Sequence, residues 1–171
     1  RLSPQILSVR NEGFAEAFFA EAVVLVEGET DKAVIEEVAA KEDALERYGV
    51  TVVNTNGKAN LIIAHAILKQ LGIPSLTVFD SDRGNPDRLR AKGKETAAQG
   101  EHRKGVALNR ALMEHHNVLN GTDYPKGHLG PTLFAWDDNL EHVLESTWPT
   151  WNDAWEEVRR ELDEEKTKRV A

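Results

Sequence analysis

Cysteine is absent from the 171 residues. That excludes disulfides, thiolate zinc sites and cysteine nucleophiles, and it fits a reducing compartment. No apolar run approaches the roughly 20 residues of a membrane span, and no signal-peptide pattern is present, so the expectation is a cytoplasmic protein without a membrane role. Internal repeats and low-complexity segments are missing as well. An initiator methionine is also lacking: the chain starts at Arg1, which leads us to expect a piece of a longer protein. Positive charge is in short supply, with 21 Lys and Arg against 29 Asp and Glu and a net charge of −8. Dedicated nucleic-acid modules usually carry a basic face, so the total argues mildly against one. The local balance differs. Between Arg83 and Lys104, seven basic residues stand against three acidic ones, while the tail Glu156–Glu165 is strongly acidic.

What is present is the composition of a globular domain, 40% apolar and 29% charged. A chain of this length buries roughly 70% of its unfolded surface without staples. Its organising stretch is Val23-Val24-Leu25-Val26-Glu27-Gly28-Glu29-Thr30-Asp31. Four apolar residues, three of them β-branched, read as a strand buried on both faces. Glu27 then falls at the carboxyl end of that strand and Asp31 in the first turn of the next helix. A second strand with the same kind of ending, Leu76-Thr77-Val78-Phe79-Asp80-Ser81-Asp82, follows about fifty residues later.

Periodicity and punctuation predict a helix over 11–20, strand 22–26, and a helix after Thr30 carrying Val34, Ile35, Val38, Ala39 and Leu45. Strand 50–53, a helix over Lys58–Leu71 and strand 75–80 follow. The stretch 81–105, polar and glycine-bearing, reads as a loop, and a helix is expected from about Val106 to Leu119. A second loop, 120–131, leads to strand 132–136. A short helix is expected from Asp137, with Asp138 and Glu141 on one face. Trp151, Trp155, Val158 and Leu162 mark a last amphipathic helix beyond Pro149. Strands alternating with helices imply an α/β domain with a central, mostly parallel sheet of about four strands. The expected organisation is a helical lead-in over 1–21, a main α/β domain over 22–146 and a C-terminal amphipathic helix over 147–171.

Paired acids at three strand-to-helix junctions suit a hard divalent cation, which takes oxygen ligands. Close carboxylates repel unless a cation neutralises them. Asp-Ser-Asp-Arg-Gly-Asn-Pro is also turn composition, and Asp31 suits any helix N-terminus, so each motif alone stays open.

Together, Val-Glu-Gly-Glu-Thr-Asp (26–31) and Val-Phe-Asp-Ser-Asp-Arg-Gly (78–84) resemble the Toprim domain. Glu-Gly-Glu-Thr-Asp, Asn-Thr-Asn-Gly-Lys-Ala-Asn (54–60) and Asn-Leu-Glu (139–141) are most similar to the overcoming-lysogenization-defect (OLD) nucleases. The resemblance implies a Toprim/Rossmann-like fold and a DNA endonuclease dependent on Mg²⁺ or Mn²⁺, with two ions; Ca²⁺ would bind without supporting activity. It implies Glu27, Asp80 and Asp82 as metal ligands, with Asp31, Asp138 and Glu141 completing a second position. Glu27, Asp31, Asp80, Asp82 and Glu141 would form the catalytic set. It further implies DNA as partner, an ABC-type ATPase domain preceding this one, an oligomer in the full-length protein, and a late lysine, Lys166 or Lys168, meeting developing charge.

Two other readings remain at this stage. Asp-Ser-Asp at a strand end also resembles haloacid-dehalogenase phosphatases, with Asp80 as nucleophile, although those carry the motif on the first strand. Toprim-like recombination mediators and receiver-type modules have acidic pockets at the same edge without cutting DNA. Lys58, Arg83 and Arg88 are candidate DNA contacts, Lys58 because it opens a helix where phosphate binds, although a solvated lysine reads equally well. The basic residues of 83–104 would flank a DNA backbone or line a solvated loop. His65 is expected on the surface or in packing. His115 and His116 are adjacent and so point different ways on a helix, a poor metal pair; His128 and His142 carry no further signal. The tryptophans are expected to pack a helix rather than stack on bases.

Overall fold

In the computed structural model, residues 12–119, 121–151, 153, 156 and 160 are described. Two compact units divide the chain between Asn139 and Leu140. The first begins with α1 (Glu12–Glu16), which runs into a 3₁₀ turn at Ala17–Phe19. The sheet strands are β1 (Ala22–Val26), β2 (Val50–Asn54), β3 (Ser75–Asp80), β4 (Gly127–Gly130) and β5 (Leu133–Trp136). Helices α2 (Glu29–Ala40) and α3 (Ala44–Tyr48) join β1 to β2, and α4 (Lys58–Gln70) joins β2 to β3. Between β3 and β4 lie α5 (Asn85–Ala91) and α6 (Glu95–His115).

Strand order is β2-β1-β3-β5-β4. The first four are mutually parallel, and β4 pairs antiparallel with β5 at the edge. The fold is therefore mixed α/β, with a five-stranded, mostly parallel central sheet. Alternation along β1 explains its unbroken apolar run. Val23 and Leu25 join one core with Leu61, Leu68, Phe79, Leu112 and Leu133 beneath α4 and α6. Val24 and Val26 face a second core with Val52, Val78 and Ile35. A strand covered on both faces has no polar side to show.

The structure departs from the sequence expectation in the middle of the chain. Residues 81–105, expected as a loop, hold α5 and the first half of α6. Their apolar content is too low for a 3.6-residue stripe, and Ala98 is the one buried hydrophobic residue between Pro86 and Gly105. Strong helix formers (Ala, Glu, Gln, Lys, Arg) still carry the helix, and Gly93, at φ +70°, makes the turn between the two. Within the expected loop 120–131, His128 and its neighbours form β4, a strand of four residues too short for alternation to register.

The second unit opens with α7 (Leu140–Thr147). Asp138 does not belong to this helix: it precedes it at φ +100°, so the helix face that Asp138 and Glu141 were expected to share does not form. Trp151, Asp153, Glu156 and Arg160 are helical. Trp155, Val158 and Leu162 lie outside the described residues, as do residues 1–11, Lys166 and Lys168. Among the described residues, no helix is long and apolar enough to cross a membrane.

Leu25 is fully buried at the centre of the larger core. Leu25→Ala should cost about 2–5 kcal/mol through lost transfer energy and a cavity, read as a lowered urea midpoint with an unchanged slope.

Candidate metal centre

Because β1 lies between β2 and β3, the chain leaves its carboxyl end in one direction and returns to β3 in the other. A parallel sheet opens a crevice at such a switch point. Glu27, immediately after β1, and Asp80, the last residue of β3, stand at that crevice. The Asp80 backbone N–H donates to Glu27 Oε1 at 2.8 Å, fixing one acid against the other strand. Asp82 follows with φ +58°, a left-handed conformation that aspartate tolerates better than most residues. Asp31, three residues into α2 and buried, accepts the Gly28 backbone N–H at 3.2 Å. Four acids thus line one rim.

Between two of them stands a residue that the sequence offered only as a candidate phosphate contact or a solvated lysine. Lys58, the first residue of α4, is only 5% exposed. Its Nζ donates to Asp82 Oδ2 at 2.6 Å and to Asn109 Oδ1 at 3.2 Å, and stands 3.8 Å from Glu27 Oε1. It is therefore not a solvated first-turn lysine. The polar loop before it supplies the support. Gly57, at φ +115°, donates its N–H to the Glu27 carbonyl at 2.7 Å, and Thr55 donates from both its N–H and its hydroxyl to the Val26 carbonyl. Asn54 Nδ2 donates to Glu29 Oε1 at 2.7 Å, so Glu29 is held by the loop. These bonds stitch the ends of β1 and β2 together. They account for the Asn-Thr-Asn-Gly run.

Asn109 on α6 extends the frame. Fully buried, it donates from Nδ2 to the Ser81 and Asp123 carbonyls at 2.9 and 3.0 Å. Ser81 Oγ in turn accepts the Asp138 N–H at 3.0 Å. Asp138 is buried, and its carboxylate accepts the Gly84 N–H at 2.8 Å and pairs with the Arg88 guanidinium. A Cβ at Gly84 would lie 2.7 Å from both Arg88 Nη1 and Asp138 Oδ2, so a larger residue there would displace that pair. Asp138 and Arg88 therefore clamp the segment after Asp82 in place, each holding the other. Arg83 lies outside this frame, exposed and 3.3 Å from Asp137. Glu141 stands in the first turn of α7, in the second unit.

Burial dominates the electrostatics of the rim. It pushes the Glu27 carboxyl up from near 4.5 to about 7, against the lowering influence of Lys58. Burial likewise raises Asp80 from near 3.8 to about 8, reinforced by repulsion from Glu27, Asp31 and Asp82. Asp80 Oδ1 is buried and has no hydrogen-bond partner among the described residues. An all-oxygen donor set, an orphaned carboxylate oxygen and more negative charge than one lysine offsets together fit a hard divalent cation such as Mg²⁺. Glu27, Asp80 and Asp82 are the residues that could hold it.

Residues 18–82 match the family described as overcoming lysogenization defect protein-like, TOPRIM domain. The match spans both acidic strand ends and stops at Asp82. It points to a metal-binding, nucleic-acid-related function. No curated protein matches the chain.

The raised carboxyls set a pH dependence. Folded, Glu27 and Asp80 hold protons to about pH 7 and 8; unfolded, they release them near pH 4. The folded state binds more protons across that window, so its stability falls as pH rises through it. The thermal midpoint of the metal-free chain should therefore drop between about pH 5 and about pH 8. Asp80→Asn should flatten that decline, and Mg²⁺ at the upper end should restore the wild-type midpoint but not the variant's. Calorimetry across the pH series reads both.

Proposed function

We propose, starting from a chain that carries the Toprim domain of an OLD-family protein, that it is a metal-dependent DNA endonuclease. The observation that carries this reading is the meeting of Glu27 and Asp80 across the switch-point crevice, with Asp80 Oδ1 left unpartnered. In this reading Glu27, Asp80 and Asp82 hold one Mg²⁺ or Mn²⁺, while Asp31 contributes to a second position. Such ions would activate the attacking water and stabilise the leaving oxygen of an in-line phosphodiester displacement. Both oxygens of Asp138 are already engaged, so its part is to hold the Asp82–Arg88 segment through Gly84 and Arg88.

Lys58 has a role of its own. Held between Asp82 and Glu27, its ammonium offsets carboxylate repulsion and keeps both side chains aimed at the crevice. Lys92 and Lys94, in the turn between α5 and α6, and Arg103 and Lys104, on α6, are exposed along the segment that leaves the rim after Asp82. They suit a DNA backbone, with affinity that falls as salt rises. An ATPase domain and further copies of the chain are proposed partners in the complete protein.

One observation favours a second reading, a DNA-binding mediator that does not cut. A lysine already sits among the acids, and with Glu27 and Asp80 favouring their protonated forms near neutrality the crevice holds together without a bound cation.

Supercoiled plasmid separates the two. Wild-type chain should nick and linearise it with Mg²⁺ or Mn²⁺ and not with EDTA. Asp80→Ala should abolish the activity with the circular dichroism spectrum retained, and Lys58→Met should lower it at least tenfold, about 1.4 kcal/mol of barrier. Plasmid that is bound but intact with every metal would favour the mediator.

A further inference from the structure

The opposite rim of the same sheet carries a second constellation. His65 lies on α4, His115 is the last residue of α6, and His116 follows as its cap. On a continuing helix the two adjacent histidines would diverge by about 100°. Here α6 ends between them, and both rings close on His65, with centroids 4.9 Å (His115) and 4.0 Å (His116) from it. Each histidine offers a ring nitrogen, and the three nitrogens lie within 4.8 Å of one another. His65, 5% exposed, places Nδ1 2.8 Å from His115 Nε2. His116 Nδ1 lies 2.9 Å from Thr132 Oγ1, and its Nε2 is buried with no hydrogen-bond partner among the described residues.

We propose that His65, His115 and His116 form a binding site for a borderline-soft divalent transition metal, of the zinc class, separate from the carboxylate rim. Three neutral imidazoles are a recurrent ligand set for such ions, with a fourth position left to water. Here the fourth position opens towards a cavity of about 300 Å³ lined by His65, His116, Ser75, Pro74, Thr132 and Lys69. Lys69 is exposed on a long stem and is free to turn its charge to solvent. Thr132 Oγ1 is placed to accept the outer N–H of a ligating His116, the support that metal-bound imidazoles use. The remaining adjustment is small. Tetrahedral ligation at about 2.0–2.1 Å sets ligand nitrogens about 3.3 Å apart, so the His65–His115 contact must open by about half an ångström. No proton leaves the site: the ring that donates in that contact moves its N–H to its other nitrogen when both lone pairs turn to the metal. Burial, the neighbouring histidines and then the charge of Lys69 also hold His65 and His116 well below the usual imidazole range, so protons do not compete for them at neutral pH.

The chemistry separates the two rims. Ser75, which lines the histidine cavity, starts β3 and Asp80 ends it, so the two rims stand at opposite ends of a strand about 16 Å long. Mg²⁺ prefers the oxygen rim and zinc-class ions the nitrogen one.

The test uses the untagged full chain, stripped with EDTA and desalted, titrated calorimetrically with Zn²⁺ in excess Mg²⁺. We expect one equivalent bound, unchanged in Asp80→Ala and weakened at least tenfold in His65→Gln and in His116→Gln. Because either histidine variant could misfold, the wild type is also loaded with Co²⁺. Intense visible bands of a four-coordinate, nitrogen-ligated ion support the site; the faint spectrum of an octahedral oxygen-ligated ion overturns it. Absence of zinc binding, binding that persists in folded His65→Gln and His116→Gln, or loss on Asp80→Ala alone would each overturn it too.

Discussion

The Lys58 ammonium, buried between Asp82 and Glu27, is the interaction on which the rim depends. An isolated charge at this depth is prohibitively expensive, and so is a cluster of unpaired carboxylates. Each makes the other tolerable. The pairing couples three chain segments, the ends of β1 and β3 and the start of α4. Shifting any one of them breaks the electrostatic balance of the others. Lys58 does not complete that balance, since Glu27 and Asp80 still favour their protonated forms near neutrality. An orphaned oxygen and unmet negative charge are what a cation site requires before the cation arrives.

A rigid polar frame holds this arrangement from below. Asn109 ties the lysine to the Ser81 carbonyl, Ser81 ties to Asp138, and Asp138 to Gly84 and Arg88. The members of that chain satisfy one another, as a buried network must if it is to define one geometry. This explains why an acid such as Asp138 stands beside a metal-type rim without being spare. Its charge is matched by Arg88, and its work is positional.

Both rims follow from one sheet. At the carboxyl ends of β1 and β3 the strands deliver oxygen donors to the switch-point crevice. At the amino ends, the close of α6 brings two consecutive histidines onto a third. Hard and borderline-soft donors are thus kept a strand apart, and each rim selects by donor type rather than by shape.

Much of the site's outline was legible in order along the chain. Continuous apolar runs of β-branched residues announce strands buried on both faces, and the acids that follow them fall at strand ends whatever the details of packing. Glu27, Asp31, Asp80 and Asp82 could be named on that basis, and so could the parallel sheet. Lys58 could not be given its role, because a lysine at a helix start looks the same whether it faces solvent or an acid 24 residues away. The helices over 85–104 lacked an apolar stripe, and β4 was too short to show alternation. His115 and His116 meet His65 only because α6 stops between them, and a helix end is set by its packing more than by its sequence. Sequence alone determined which residues carry charge and where strands finish. Tertiary structure decided which charges meet, because pairing depends on distances across strands that no local pattern encodes.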